Sequence, residues 1–304
     1  MNGSPEQEQV ADVQTHPSTA TARVVSEGME RHLHHPKRVL DHGFVRVVDY
    51  MGDDAAIVQA ARVSYGTSTK RTRGDAGLIR YLMRHRHTTP FEMCEVKFHV
   101  KLPIFVARQW IRHRTANVNE YSARYSVLDR EFYVPSPEHL AAQSNTNQQG
   151  RGEVIEGGEA DEVLRILKSD SLKAYSSYEF MLSSNEEKRG LSRELARINL
   201  PVSIYTQWYW KTDLHNLFHF VALRGDKHSQ YEIRAYADVM AAILADWVPV
   251  AWQAFSDYRV NGFELSAVGV NCVRRLLKGE KVTMESSGMT RREWLEFEHA
   301  ILKD

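Results

Sequence analysis

Residues 108–125 hold the densest set of side chains able to do chemistry: Arg108, Gln109, Arg112, His113, Arg114, Asn117, Asn119, Glu120, Ser122, Arg124 and Tyr125. Residues 101–130 carry six Lys or Arg against two Asp or Glu, although the whole chain has 39 of each sign and a formal net charge of zero. A focused positive patch in a neutral protein suits a small anion rather than a polymer. The planar fork of arginine binds phosphate through two parallel hydrogen bonds. Asn, Ser and Glu supply the donors and acceptors that fix a base or a sugar. A solvated charged loop would read differently, with Lys and Glu rather than Asn and Ser between the charges. Ser122 has no adjacent base in the sequence, so it reads as a ligand rather than a nucleophile.

Other chemistry is thinly represented. HNLFH places His215 and His219 four residues apart on one helix face, as in a zinc site, but it lacks the Glu of a metalloprotease motif. A polar helix face is the plainer reading, and no metal is assigned. HLHHP clusters His32, His34 and His35, for which a solvated basic tail is the plainer reading than a metal site. No GxxxxGK[ST] occurs, and GRGEVI at 150–155 lacks the last glycine of a dinucleotide fingerprint. Two cysteines, Cys94 and Cys272, exclude a disulfide framework and a Cys-based zinc site.

A scaffold must position this cluster, and 304 residues, 42% hydrophobic, suffice for one large domain or two. No apolar run reaches the roughly 20 residues that span a bilayer, and no secretory signal is visible. A cytoplasmic globular protein is expected, with no membrane partner and no nucleic-acid partner. Residues 1–36 are polar and are expected to form a disordered tail. RVLDHGFVRVVDYMG predicts a strand and its turn, DDAAIVQAARVS and AGLIRYLMRHRH predict helices, and GTSTKRTRGD reads as a loop. EMCEVKFHVKL alternates strictly, with Cys94 on the apolar side, which predicts a half-buried strand. PIFVARQWIRHR predicts a helix opened by Pro103, and FYVPSP a short strand. Residues 143–160 are low in complexity and expected to be a mobile loop. From about 160 onward the pattern reads as helical, with Gly225 closing TDLHNLFHFVALRG and Thr290 capping a last helix. Strands mixed with helices, followed by helices alone, give a mixed α/β (α+β) class. The domain is expected over 37–262, with a helical C-terminal extension over 263–304.

The segment RHRTANVNEYSAR, residues 112–124, resembles the signature RHRxxSxNExSxR of the flavin-dependent thymidylate synthases. Asn117 stands where that pattern has Ser. HTTPFE (87–92), VARQW (106–110), EFYVPSP (131–137), ARINLP (196–201) and LRGDKHSQYEI (223–233) resemble family segments in family order. The resemblance implies a central sheet with helices, a homotetramer, and active sites drawing on more than one subunit. It implies conversion of dUMP to dTMP, with 5,10-methylenetetrahydrofolate as one-carbon donor and NADPH as reductant through FAD. Such a route needs no cysteine nucleophile. It needs positive charge for the phosphate and for the anion that develops at N3 and O4 of the ring.

Roles follow by resemblance, residue by residue. Arg224 matches the arginine that favours ionised N3 and is the catalytic choice. Gln109, Trp110, Ile111, Arg112 and Arg197 match dUMP ligands, with Gln109 and Arg112 one helical turn apart. Glu120, Tyr121, Ser122, Ala123 and Arg124 match a segment that reaches dUMP from a neighbouring subunit. For FAD the matches are Ser64, His87, Thr89, Glu92, Arg112, His113, Arg114, Thr115, Glu120, Asp213, Leu214, His215, His219 and His228. Asp213 stands where some members have Asn, so its carboxylate must accept from a hydroxyl or backbone N–H, or repel phosphate. Other readings of the residues are a nucleotide- or RNA-binding module that stacks bases on aromatics, a metal-dependent hydrolase using the histidines, and a family member without activity.

Overall fold

The structure, a computed structural model, describes residues 22–63, 74–144 and 150–303. Residues 64–73, which include Ser64 and most of the predicted loop 66–75, lie outside the described residues, and Asp75 already opens a helix. The chain opens with α1 (Glu27–Glu30), β1 (Lys37–Val39), β2 (Gly43–Met51), α2 (Asp54–Val63), α3 (Asp75–Arg84) and α4 (Thr89–Glu92). It continues with β3 (Glu95–Pro103), α5 (Ile104–Trp110), β4 (Asn117–Glu120), β5 (Ala141–Gln143), β6 (Arg151–Val154) and α6 (Gly157–Leu182). The last part holds α7 (Arg193–Ala196), β7 (Tyr205–Asp213), α8 (Leu214–Arg224), α9 (Tyr231–Trp247), α10 (Pro249–Phe255), α11 (Ala267–Leu277), α12 (Met284–Ser287) and α13 (Arg291–Phe297).

A five-stranded antiparallel sheet runs in the order β1-β2-β3-β7-β4, so the class is mixed α/β. The alternation read in EMCEVKFHVKL puts Cys94, Val96, Phe98, Val100 and Leu102 into the core. The register aligns Val47 with Phe98 and Phe98 with Trp210, a buried row across three strands. Cross-strand pairs of this kind, aromatic against β-branched, stabilise a sheet by roughly 0.2–1 kcal/mol each. Cys94 is fully buried, and burial with the charges of Asp53 and Asp54 pushes its thiol up to about 12, which suits a core residue.

Three expectations are corrected. β7 falls in the stretch read as helical, yet it is an inner strand, flanked by β3 and β4. In YTQWYWKT, Thr206, Trp208, Trp210 and Thr212 point inward while Tyr209 is exposed, a period of two. The predicted loop 143–160 is structured where it is described: β5 and β6 pair, and α6 begins at Gly157. Residues 145–149 lie outside the described residues. The short strand read in FYVPSP is only a single bridge, Phe132 to Ile204.

The expected tail also ends earlier than residue 36. Met29 is fully buried, Leu33 bridges to Val47, and His32 Nε2 pairs with Asp246 Oδ2 at 2.8 Å. His32 is thus anchored to α9 rather than solvated. Gly28 makes this docking possible, because a Cβ there would lie 1.8 Å from the Asp246 carbonyl oxygen. Gly28→Ala is expected to destabilise the protein by about 1–3 kcal/mol, the usual cost of overpacking. Urea unfolding would check this, and an unchanged midpoint would mean that α1 contributes nothing to stability.

Helices α5, α8 and α9 bury their apolar faces in the main core around Trp110, Phe220 and Tyr236. A separate small cluster of Cys272, Val282, Trp294 and Phe297 holds α11 to α13 together. Thr290 caps α13 by accepting from the Glu293 amide.

Candidate active site

Helix α8 organises the site. Asp213 caps its N-terminus, accepting from the Asn216 backbone N–H at 2.9 Å and from Asn216 Nδ2 at 2.7 Å. The carboxylate at Asp213 therefore has two donors of its own. Leu214, Leu217, Phe218, Phe220 and Val221 are buried. His215, Asn216, His219 and Arg224 are left to line the open side.

Arg224, in the last turn, is half-buried. Its Nε donates to His113 Nε2 at 3.1 Å and its Nη2 donates to the Gln109 carbonyl at 3.3 Å. Arginine has no acceptor, so His113 Nε2 must be unprotonated and a neutral His113 carries its proton on Nδ1. Burial first, then the Arg224 charge and His219, lowers the His113 pKa to about 4. The native His113 thus resists the proton that an unfolded His accepts near 6.5. Between these values the unfolded state binds more protons, so stability falls as pH drops from about 6.5 toward 4. His99, also lowered to about 4 by burial and Arg46, adds to the same slope. His113→Asn is expected to flatten the pH dependence of the urea midpoint in that window. An unchanged slope would show that His113 does not control it.

Arg112, His113, Arg114 and Thr115 face Trp210 and Thr212 of β7 and Asn216, His219 and Arg224 of α8 across a pocket of about 370 Å³. Six predicted site residues meet here. His219 also borders a second pocket of about 320 Å³, lined by His87, His215, Phe91, Phe218 and Phe255. His87 continues into a third cavity with Thr89 and Tyr81. Eight of the predicted flavin residues, His87, Thr89, Arg112, His113, Arg114, Thr115, His215 and His219, thus spread over adjoining cavities that share His219 and His87.

Other predicted residues lie elsewhere. α5 ends at Trp110, so Arg112 sits in the turn beyond the helix, and the expected helical spacing with Gln109 does not hold. Trp110 and Leu214 are fully buried in the core, which leaves only their backbone for a ligand. Ile111 is exposed. Glu120 is on the exposed strand β4 and accepts from Thr206 Oγ1 at 2.8 Å. Arg124 lines a separate cavity with Tyr125, Arg193 and Glu194, while Ala123 packs in a second apolar cluster. Ser122 Oγ accepts from the Arg124 amide at 3.3 Å within the turn. Arg197 follows Ala196, which packs with Ala123 and Tyr178 in that second apolar cluster. Glu92 is half-buried on α4 and His228 is exposed against Asp226; neither lines the cavities described. Among the described residues no group of three His, Cys, Asp or Glu side chains converges, so the hydrolase reading finds no ligand set there. Sequence reading missed Asn216, Thr212, Gln230 and Glu232. Only the period of two in β7 could have pointed to Thr212.

The family described as thymidylate synthase complementing protein matches residues 46–250. Among similar proteins, a flavin-dependent thymidylate synthase of Ruegeria pomeroyi is 65% identical over 298 residues, covering 98% of each chain. One of Gluconobacter oxydans is 63% identical over 276 residues, covering 91% of this chain and 90% of its own. The chain belongs to the flavin-dependent thymidylate synthase family. Among solved structures, a UMP/dUMP methylase PolB from Streptomyces cacaoi, bound with 5-Br dUMP, superposes with a TM-score of 0.65 at 34% identity. It covers 73% of this chain and 98% of its own. Membership makes the reaction class flavin-dependent thymidylate synthesis, an enzyme activity rather than a bare binding module.

The residues present fit a flavin nucleotide. Arg112, Arg114, Thr115 and Asn216 supply donors for phosphate or hydroxyl groups at the first pocket. Phe91, Phe218 and Phe255 give the second pocket an apolar floor suited to a flat ring. No helix of the described residues is long and apolar enough to cross a membrane.

Proposed function

We propose that this chain is a cytoplasmic homotetrameric enzyme that converts dUMP to dTMP, with 5,10-methylenetetrahydrofolate as one-carbon donor and NADPH as reductant through FAD. The observation that carries the proposal is the half-buried Arg224, fixed by His113 and the Gln109 carbonyl at the edge of a pocket lined with donors. Bound FAD supplies the reducing equivalents. The chain's own residues bind and polarise the nucleotide. Arg224 offers a preorganised cation to the charge that develops at N3 and O4, while Gln109 and Arg112 help hold the substrate. A preorganised donor aimed at developing charge is usually the largest single catalytic contribution. Arg112, His113, Arg114, Thr115, Asp213, His215 and His219 would hold FAD, with His87 flanking its ring.

Within one subunit Arg124 and Arg224 border different cavities. A homotetramer resolves this, because the segment 120–124 of one subunit would complete the nucleotide site of another. Mixing inactive Arg224→Ala with inactive Arg124→Ala protein, followed by subunit exchange, is then expected to restore part of the activity. No recovery after verified exchange would place all ligands in one subunit. The reaction itself is tested by dTMP formation from dUMP, methylenetetrahydrofolate and NADPH under anaerobic conditions, after bound flavin is stripped. Product only when FAD is returned supports the reading. Product without FAD, or none with it, overturns it.

A further inference from the structure

A half-buried hydrogen-bonded chain leads away from the site and ends on a buried carboxylate. Gln109 Nε2 donates to Gln230 Oε1. Gln230 Nε2 donates in turn to Glu232 Oε2 at 2.8 Å. Glu232, in the first turn of α9, is 2% exposed. Its other oxygen accepts from Tyr133 Oη at 2.9 Å and from the Arg151 guanidinium. Burial alone would raise its pKa, but the hydrogen bonds from Arg151 and Gln230 and the Arg151 charge outweigh this, and the net shift is downward.

An ionised carboxylate can only accept. Glu232 therefore fixes which end of the Gln230 amide faces it, namely the NH₂. The Gln230 carbonyl is then turned to Gln109 and can only accept, so Gln109 must point its own NH₂ inward. One polarity is imposed along the whole chain. The side-chain amide oxygen of Gln109, Oε1, accepts no hydrogen bond among the described residues. Gln109 also holds Arg224 through its backbone carbonyl, so it lies beside the catalytic arginine.

We propose that Glu232 and Gln230 are positioning residues that lock Gln109 with its amide oxygen presented to the nucleotide, as an acceptor for a donor group on dUMP. The donor is the sugar hydroxyl or the ring N3–H. This inference rests on the dUMP reading above. Without Glu232 the amides of Gln230 and Gln109 are free to flip, and half of the orientations present a donor where an acceptor is needed.

The test is a double-mutant cycle on dUMP affinity, read from flavin absorbance in the FAD-loaded protein. Gln109→Ala and Glu232→Gln are each expected to weaken dUMP about tenfold. The double variant is expected to be no weaker than Gln109→Ala alone, because Glu232 acts only through Gln109. FAD content should be unchanged. Gln230→Met breaks the chain while leaving Glu232 with Tyr133 and Arg151, and should behave like Glu232→Gln even if the latter folds poorly. Repeating the titrations with 2′,3′-dideoxy-UMP separates the donors. If the Gln109→Ala effect vanishes, the hydroxyl is the donor, and if it persists, N3–H is. Effects that multiply in the double variants, or an unchanged affinity in Gln230→Met, would overturn the proposal. Failure of the unmodified enzyme to bind dUMP would instead overturn the functional reading itself.

Discussion

Arg224→Ala is expected to lower kcat by about 10²- to 10³-fold, equivalent to about 2.7–4 kcal/mol, while FAD stays bound. The guanidinium is half-buried, where its charge is less screened than in water. Two of its N–H groups are already committed to His113 and the Gln109 carbonyl, so it is oriented before substrate arrives. That preorganisation is what alanine removes. Arg224→Lys keeps the charge, but a single ammonium cannot reproduce the fork. Lysine is therefore expected to recover only part of the loss. Single-turnover dTMP formation, with flavin absorbance as the control, measures both variants. A kcat within threefold of the unmodified enzyme would remove Arg224 from the catalytic role.

Trp110→Ala should have the largest effect on stability, about 3–5 kcal/mol. Total stability of a domain is only about 5–15 kcal/mol. The Trp110 side chain is fully buried, with Phe220 at 4.5 Å, Trp210 at 5.3 Å and Trp208 at 5.6 Å between ring centroids. It ties α5 to β7 and α8 and so sets the distance from Gln109 to Arg224. Its indole Nε1 is buried without a hydrogen-bond partner among the described residues. Trp110→Phe sheds that donor, whose burial costs about 1–3 kcal/mol, and so should be far milder than alanine. Urea unfolding of both variants checks the order. Equal losses would mean that ring packing at this position contributes little.

Local patterns in the sequence were informative where one element carries its own period. The alternation around Cys94, the helix ending at Gly225 and the polar segment 112–124 all describe elements or loops seen in the fold. β7 was missed because its aromatic run, TQWYWKT, lies between helical stretches and its alternation is masked by Tyr209, exposed yet aromatic. The ordered part of the N-terminal segment was missed because its partner, Asp246, is more than two hundred residues away. The same limit explains Arg197. Spacing along a helix predicts neighbours within a few residues, but which distant segments meet is decided by strand order. Arg224 and His113 come together because α8 leaves β7 on the side where the turn after α5 returns.

The small cluster under α11 to α13 has a kinetic consequence. Four buried side chains cannot support the stability of the main core. The extension should open in sub-global events well below the free energy of complete unfolding. Amide exchange in residues 267–297 is then faster than in β3 and β7, and exchange there continues while the cluster around Arg224 remains folded.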